Sequence, residues 1–254
     1  PVQTDKVIIG GGTPLSALFG NSAHTITNMD VSGGLHLRNN SYIGLRFPSL
    51  NRFDGGEIRL FENARIDTAR GSRTLLRNNG LLDIRDNAEF HNAVIAAPTG
   101  RQGIMTLGST SSSPNFTQLN ISGTGTFNNA GEVQLLNATM NITASGVATS
   151  RTFLHEGFSG TVNLQDQARF ENSRQYTKSG STLNIGGDST FRNGLAGTSH
   201  TLFSQTNGDT NITGNGVFDN DKTATLSGGS TTISGNGLFD NDGLVTLNGG
   251  SINL

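Results

Sequence analysis

A repeat with a period of about 21 residues constrains the fold of this chain more than any other feature of its sequence. Each copy has an aliphatic anchor, five variable residues rich in Gly, Asp and Ser, a large apolar residue, any residue and then Asn. Two clear copies are anchored at Ile212 and Ile233, which are one period apart and are followed by Phe218 and Phe239. Self-similarity at a fixed period of this length indicates a solenoid, in which every copy forms one coil.

The same frame extends along most of the chain. The anchors Ile142, Leu164 and Ile185 follow one another at almost the same period, and the period is slightly longer in the earlier copies. Each copy contains glycines and short runs of alternating apolar and polar residues, a period of two that is typical of strands and not of helices. We therefore predict an all-β chain that folds as a right-handed parallel β-helix, a three-sided β-solenoid with about 21–24 residues per coil.

Stacking of coils about 4.8 Å apart brings equivalent residues of successive copies into columns along the solenoid. One predicted column contains the large apolar residues, with Ile43, Ile66 and Ala148 from weaker copies. Another contains the asparagines two residues further on, whose buried side chains can hydrogen-bond to the coils above and below. The sequence thus predicts a structural ladder formed by Phe90, Phe127, Phe170, Phe191, Phe218 and Phe239 and by Asn92, Asn129, Asn172, Asn193, Asn220 and Asn241.

Two intervals between anchors are longer than one coil. The interval from Ile84 to Ile121 is too long by more than half a coil, and the interval from Ile185 to Ile212 is too long by a smaller amount. We predict an N-terminal cap or lead-in segment over residues 1–34, followed by solenoid repeats over residues 35–254 with insertions near 93–117 and 194–206. Loops that project from a solenoid commonly carry a binding function, and the alternative is that these insertions are tolerated without one.

Composition argues against several classes of function. Without cysteine the chain has no disulfide, no thiolate metal site and no cysteine nucleophile, and it suits secretion as an unfolded chain. Its 17 basic and 19 acidic residues form no basic stripe, so we expect no nucleic-acid partner. No apolar run in the sequence is long enough to predict a membrane span.

The sequence contains no recognisable catalytic motif. Its five histidines are scattered over different repeats without metal-ligand spacing, and we interpret them as outward polar residues. Asp166 and Asp188 fall at similar positions of neighbouring repeats, and paired acids on one face would suit a glycan-cleaving enzyme. A solvated charged face explains them equally simply. We predict no catalytic residue and no enzymatic activity, with a polysaccharide-active enzyme as one alternative.

An Asp-Asn-Asp segment occurs in two successive copies and stacks four carboxylates at one corner. Like charges about 5 Å apart repel each other, and a Ca²⁺ ion with its oxygen ligands would relieve that repulsion. Lys222 beside the corner and the missing nonapeptide calcium signature favour a solvated corner without metal. In a chain otherwise expected to need no cofactor, the candidate calcium ligands are Asp219, Asp221, Asp240 and Asp242.

Two segments carry a family resemblance. GTFNNAGEV at residues 125–133 and GLFDNDGLV at residues 237–245 resemble repeats of autotransporter passengers and filamentous-haemagglutinin-like adhesins of Gram-negative bacteria. The resemblance covers most of residues 35–254 and implies a secreted protein of the bacterial cell surface, with a role in adhesion, aggregation or a biofilm matrix. Residues 7–19 resemble the lead-in to phage tail-fibre domains, so a tail-fibre or tailspike module is the other alternative.

The last repeat predicts self-association. One further period after Ile233 places Leu254 at the next anchor, so the final strand, with Ile252 and Leu254, would present an unpaired edge. Exposed strand edges need covering. We expect these last two residues to form an assembly end, through which the chain stacks head-to-tail into a filament or a longer surface rod. A glycan or a cell-surface receptor is a further candidate partner.

Overall fold

The fold was taken from a computed structural model, which describes residues 7–9, 15–16, 23–26, 29–31, 34–38, 40–45, 50–69, 73–77, 80–95, 104–108, 117–156, 160–194 and 200–254. Regular structure in these residues is entirely β-strand, and no helix long and apolar enough to cross a membrane occurs among them. The strands are β1 Val7–Ile9, β2 Leu15–Ser16, β3 Ala23–Ile26, β4 Met29–Val31, β5 Gly34–Leu37, β6 Tyr42–Leu45, β7 Leu50–Asp54, β8 Glu57–Leu60, β9 Arg65–Ala69, β10 Arg73–Arg77, β11 Leu81–Ile84, β12 Glu89–Ile95, β13 Ile104–Gly108, β14 Gln118–Ile121, β15 Thr126–Leu136, β16 Thr139–Ile142, β17 Val147–Glu156, β18 Thr161–Leu164, β19 Arg169–Ser179, β20 Ser181–Ile185, β21 Thr190–Asn193, β22 Leu202–Gln205, β23 Gly208–Ile212, β24 Val217–Asn220, β25 Thr223–Leu226, β26 Ser230–Ile233, β27 Leu238–Asn241, β28 Leu244–Leu247 and β29 Ser251–Asn253.

These strands form three faces of parallel sheet around one interior. The first face is an eleven-stranded sheet from β2 to β29, in which each strand belongs to a successive coil. The second face runs from β3 through β12 to β27, and the third runs from β1 through β13 to β28. β15, β17 and β19 are 10 or 11 residues long and pass through both of these faces. The three-sided parallel solenoid predicted from the repeat is therefore confirmed.

Alternation along each strand builds the interior. In β15 the side chains are half-buried and buried in turn along all 11 residues. This is the period of a strand, whose successive side chains point to opposite faces of the sheet. The inward residues of all three faces merge into one apolar core that is continuous along the solenoid.

The large apolar residues of the second face lie in one interior column. Neighbouring residues of the column are in register across adjacent strands. Ala148 occupies the position between Phe127 and Phe170, where the ring of Phe153 from the third face packs against Phe170 at a centroid distance of 5.2 Å. In chain order the column consists of Ile43, Ile66, Phe90, Phe127, Ala148, Phe170, Phe191, Phe218 and Phe239.

Two aromatic stacks fill the interior of the C-terminal coils. Phe191, Phe218 and Phe239 stack with ring centroids 5.0 and 4.9 Å apart. A second stack comes from the third face and places Tyr176 on Phe203 at 5.4 Å. The two stacks meet edge to face, with Tyr176 and Phe191 at 89° and 5.0 Å. Because stacked and edge-to-face pairs are both favourable, the aromatic rings bind successive coils and also join two faces.

The corner after each first-face strand explains why the repeat is rich in Gly and Asp. The residue two positions after the anchor has a positive φ, for example 55° at Ala144, 60° at Asp166 and 63° at Gly187. Glycine adopts this conformation freely and Asp tolerates it better than most residues. A Cβ at Gly187 would also lie only 2.7 Å from the backbone nitrogen of Asp166 in the preceding coil.

The segments predicted to differ from the repeat contain strands of the same sheets. β1 to β4, within the predicted cap or lead-in at residues 1–34, pair in parallel with each other or with later strands. β13 lies within the predicted insertion near 93–117, and β22 lies within the one near 194–206; both pair within the third face. Residues 96–103, 109–116 and 195–199 of these insertions lie outside the described residues.

Candidate functional sites

The predicted asparagine ladder lies inside the corner between the second and third faces. The side-chain amides of Asn172, Asn193 and Asn220 each donate to the carbonyl oxygen of the next ladder residue, at 2.8, 2.6 and 2.7 Å, ending at Asn241. The three donors are fully buried. Their second amide protons reach backbone carbonyls beyond the corner, as from Asn193 to Thr223 at 2.9 Å. One side chain therefore joins two coils and also closes a corner.

The N-terminal part of this ladder has a different composition. Nδ2 of Asn92 donates to Oδ1 of Asn129 at 2.8 Å, and Thr68 donates to Oδ1 of Asn92 at 3.0 Å. Nδ2 of Asn129 donates to the hydroxyl of Ser150 at 2.9 Å. Ser150 stands in the ladder position between Asn129 and Asn172. A hydroxyl replaces the amide in that coil, so the ladder continues from Thr68 to Ser150.

A second asparagine ladder, which our sequence analysis missed, lies on the outer side of the first face. Each member after the first donates from Nδ2 to Oδ1 of the residue in the preceding coil, at 2.8 or 2.9 Å. These side chains are half-buried. The available signal was an Asn immediately before five of the anchors. The outer ladder consists of Asn120, Asn141, Asn163, Asn184 and Asn211.

Sequence analysis also missed a polar cluster inside the corner between the third and first faces. His155, Lys178 and Gln205 are in register in an interior column that continues with Leu135 on one side and Leu226 on the other. All three polar side chains are fully buried. Polar groups at this depth need partners to offset the loss of hydration.

Hydrogen bonds supply some of those partners. Nδ1 of His155 lies 2.9 Å from the hydroxyl of Tyr176. Nζ of Lys178 donates to the carbonyl of Asn207 across 3.5 Å, which is at the limit of a hydrogen bond. Gln205 accepts from Thr210 at 2.7 Å. The ammonium of Lys178 has only its long bond to Asn207, and Nε2 of His155 has no hydrogen-bond partner among the described residues.

Burial controls the protonation of the cluster. It lowers the pKa of His155 to about 3, and the neighbouring Lys178 acts in the same direction. It lowers the pKa of Lys178 to about 7, while Asp209 acts in the opposite direction. It raises the pKa of Tyr176. At neutral pH the imidazole is uncharged, and the amine is near the midpoint of its titration.

The histidines do not share one environment. His36 lies 2.7 Å from Glu57 and is half-buried, and His200 is exposed. The prediction of an outward polar residue is wrong for His155, because its strand turns that side chain into the core. The side chain of His24 lies outside the described residues.

A dense ionic network surrounds His91 on the outer side of the second face. Arg65 forms two hydrogen bonds to the carboxylate of Asp67, at 2.7 and 3.0 Å, and one to Glu89 at 3.0 Å. The hydroxyl of Tyr42 donates to Asp67 at 3.1 Å. Burial lowers the pKa of His91 and Arg65 adds to this effect, whereas Asp67 and Glu89 oppose it. The network consists of mutually paired groups, so it explains surface stability without a ligand.

Arg192 neutralises part of the predicted calcium corner. Its guanidinium lies 2.7 Å from Asp221 and 3.4 Å from Asp219. Asp219 and Asp240 are opposite each other in neighbouring coils. Burial raises the pKa of Asp219, Asp221 adds to the rise and Arg192 opposes it. Within the described ranges no three His, Cys, Asp or Glu residues are arranged to hold a metal ion, so these four carboxylates, including Asp242, do not converge on one site.

The two acids weighed as catalytic candidates hold corners together. Oδ2 of Asp166 accepts from the backbone N–H of Ala144 in the preceding coil at 3.2 Å. Oδ1 of Asp188 accepts from Nδ2 of Asn215 in the following coil at 2.8 Å. Each carboxylate has a structural partner, and the left-handed backbone at Asp166 gives a local reason for an acid there.

The last described coil exposes apolar side chains that continue the interior columns. Leu247 is in register with the buried Leu226, yet 53% of its surface is exposed. Phe239 is partly buried against the core. Of the two predicted assembly residues, Ile252 also packs against the core, whereas Leu254 is 99% exposed.

A groove lies on the corner between the second and third faces, on the outer side of the solenoid. Its volume is about 550 Å³. Three of its residues carry basic side chains, and residues 200–202, from the predicted insertion near 194–206, contribute to its lining. We call this the corner groove, and its lining residues are Arg174, Gln175, His200, Thr201, Leu202, Lys222, Thr223, Gly243 and Leu244.

Comparison with known proteins assigns no family. A solenoid fold by itself hosts many unrelated functions, so function has to be argued from sites. No protein-family model, no curated protein and no solved structure matches this chain.

Proposed function

We propose that this chain is an extracellular structural rod of a bacterial cell surface, with an adhesive role on its lateral surface. The observation that carries the proposal is the pair of asparagine ladders, one inside the corner and one on the first face. Both run along the solenoid and add side-chain hydrogen bonds to the backbone bonds between coils, for example 2.8 Å from Asn172 to Asn193 and from Asn163 to Asn141. Continuous bonding in one direction suits a rod.

Fixed register adds to this argument. A slip of one residue between two coils would turn every inward side chain outward, so the aromatic column and the inner ladder together select one register. The stacked rings of Phe218 and Phe239 and the bond from Asn220 to Asn241 hold the same pair of coils. Such a stack keeps its shape along its whole length, as a spacer or scaffold requires.

The placement outside the cell is supported by the repeat segments that resemble autotransporter and filamentous-haemagglutinin-like surface proteins. The absence of cysteine is compatible with this route. An adhesive role would use the lateral faces, where side chains point outward at every second residue.

We further propose that the rod grows by end-to-end contact with a second copy. Leu247, which is in register with the buried Leu226 yet 53% exposed, and the partly buried Phe239 offer apolar surface that matches a further coil in register. Among the described residues β27 and β28 pair only with the preceding coil, so their other edges offer backbone hydrogen bonds to the same further coil.

Sedimentation and negative-stain electron microscopy over a concentration series test the end-to-end contact. The expected result is a series of rods that lengthen with concentration, and a Leu247→Lys variant that stays monomeric because it buries a charge in the contact. Leu244→Lys is the matched control, since Leu244 lies on the same strand but on the outer side. A wild-type chain that remains a short monomer at the highest concentration would refute the stacking, as would equal behaviour of the two variants.

A further inference from the structure

The corner groove combines a size and a composition that suit a small polar ligand. Its volume of about 550 Å³ lies in the range of small-molecule sites, about 300–1,000 Å³. Strands from four successive coils contribute to it, because Gln175, Leu202, Thr223 and Leu244 are neighbours in one outward column. The groove is therefore part of the rigid solenoid.

Two basic side chains in the groove have no acidic partner. Arg174 and Lys222 immediately precede Gln175 and Thr223, so they stand two coils apart, a distance of about 10 Å along the axis. Among the described residues neither has a carboxylate within 4.0 Å. Asp221, which follows the ladder residue Asn220, is engaged by Arg192 at 2.7 Å.

The groove differs in this respect from most of the described outer surface. Most other described arginines of the outer faces are paired, as Arg59 is with Glu57, Arg85 with Asp83 and Arg169 with Glu171. A pair of unmatched cations in a concave site concentrates positive potential there. The complementary ligand is an anion, even though the chain as a whole has a net charge of −2.

The remaining lining gives the anion a chemical class. Gln175, His200 and Thr223 offer hydrogen bonds, while Leu244, which is 61% exposed, and Leu202 offer aliphatic surface. A sugar ring has hydroxyl groups at its edge and C–H groups on its faces, so it uses both kinds of contact. A carboxylate on that ring matches the planar fork of an arginine.

The backbone at Gly243 keeps the coils close at this point. A Cβ there would overlap the carbonyl oxygen of Lys222, so no side chain is possible without moving the coil. The amide of Leu244 donates to that same carbonyl at 2.7 Å. The approach of the two coils fixes the backbone from which Lys222 projects.

We propose that the corner groove binds an acidic sugar residue, with its carboxylate between Arg174 and Lys222. Gln175, His200 and Thr223 bond the hydroxyl groups, and Leu244 supports one face of the ring. Arg174 supplies the directional contact, since it forms two parallel hydrogen bonds to one carboxylate, and Lys222 adds charge from the opposite end. This site does not depend on whether the solenoid stacks end to end.

Calorimetric titration with a galacturonic acid trimer tests the proposal, and its fully methyl-esterified form is the neutral counterpart. We expect the acidic trimer to bind and the ester to bind at least tenfold more weakly. Arg174→Gln and Lys222→Gln should each weaken the acidic trimer at least tenfold. Arg73→Gln is the matched control, because Arg73 is exposed and lies in the same outward column as Gln175, separated from it by β13, β15 and β17. It changes the net charge equally and should leave binding unchanged.

Several outcomes would overturn the proposal. Equal affinity for the acid and the ester would show that the carboxylate plays no role. An affinity loss with Arg73→Gln equal to that with Arg174→Gln or Lys222→Gln would show that only the net charge of the protein matters. Inorganic sulfate or a sulfated neutral trimer binding as tightly as the acidic trimer would show an anion site without recognition of a carboxylated sugar. Thermal melting of each variant checks folding, and because two variants are used, one that fails to fold leaves the other to decide.

Discussion

Replacement of the buried Lys178 by methionine should stabilise the protein at neutral pH. The side chain is fully buried in an interior column flanked by His155 and Gln205, and its amine has a single long hydrogen bond of 3.5 Å, to Asn207. Burial lowers its pKa from 10.5 to about 7. Methionine has a similar length and removes the amine, so the core is not left with a cavity.

The magnitude follows from linkage between protonation and folding. A shift from 10.5 to about 7 corresponds to a maximum of about 5 kcal/mol, since each pKa unit is worth about 1.4 kcal/mol. At pH 7 the unfolded chain holds the proton fully and the folded chain holds it about half, so about 4 kcal/mol opposes folding. Loss of the bond to Asn207 offsets about 1 kcal/mol of the gain. The free energy of unfolding of Lys178→Met should therefore exceed that of wild type by about 3 kcal/mol at pH 7.

The sign of the pH dependence is fixed by the same shift. Between pH 7 and 10.5 the unfolded chain binds more protons at this group than the folded chain does, so wild-type stability rises with pH across this window. The methionine variant lacks this contribution. The difference between the two proteins should therefore shrink steadily from pH 7 to pH 10.

Urea unfolding at pH 7, 8, 9 and 10 measures this difference. Lys222→Met serves as the control, because Lys222 lies on the outer corner. Its stability difference from wild type should not change with pH in a comparable way. A Lys178→Met variant that is less stable than wild type at pH 7 would refute the reasoning. So would a stability difference that does not change with pH, since it would assign the effect to packing and not to charge.

Three further predictions concern the corners and ladders. Asn193→Leu should lower the free energy of unfolding by about 2–3 kcal/mol, because it leaves buried partners unsatisfied. Asn163→Leu on the outer ladder should lower it by about 1 kcal/mol or less. Thermal melting compares the two variants, and equal losses would contradict a buried ladder. Ala144→Gly should stabilise the protein by up to about 1 kcal/mol, because glycine adopts the φ of 55° without strain. Gly187→Ala should destabilise it, because the new Cβ would lie 2.7 Å from the backbone nitrogen of Asp166. Urea midpoints that move the other way would count against the left-handed corner. Asp240→Asn should raise the free energy of unfolding by about 0.2–1 kcal/mol, because it removes a like charge opposite Asp219. This gain should fall as salt is added. A gain that does not change with salt would exclude repulsion as its cause.

The second face was predictable because its residues keep a fixed distance from the anchor. Phe191 follows Ile185 at the same distance as Phe218 follows Ile212, so the sequence alone places both rings in one column. The same regularity placed Asn193 correctly in register with Asn220. Short strands joined by tight corners keep the number of residues between the anchor and the second face constant from coil to coil.

The third face escaped sequence analysis because its distance from the anchor varies. The pairing between β15 and β17 shifts register between Asn129 and Glu132, and the pairing between β17 and β19 shifts near Ser150. A shift of one residue exchanges inward and outward positions. For this reason the inward direction of His155 and Lys178 could not be derived from the repeat.

The corner groove could not be predicted for a related reason. Arg174 and Lys222 are far apart in the sequence, and no motif links them. They come together only because β19, β22 and β25 stack at one corner. The outer asparagine ladder, by contrast, was readable, since an Asn precedes each of five anchors such as Ile121 and Ile142.

The two asparagine ladders have opposite polarity. In the inner ladder each amide donates toward the C-terminal end, as from Asn193 to Asn220, whereas in the outer ladder each donates toward the N-terminal end, as from Asn184 to Asn163. Aligned amides polarise one another, so a single ladder would build up a dipole that grows with every added coil. Because the two dipoles point in opposite directions, a rod of many coils can lengthen without accumulating opposite charge at its two ends.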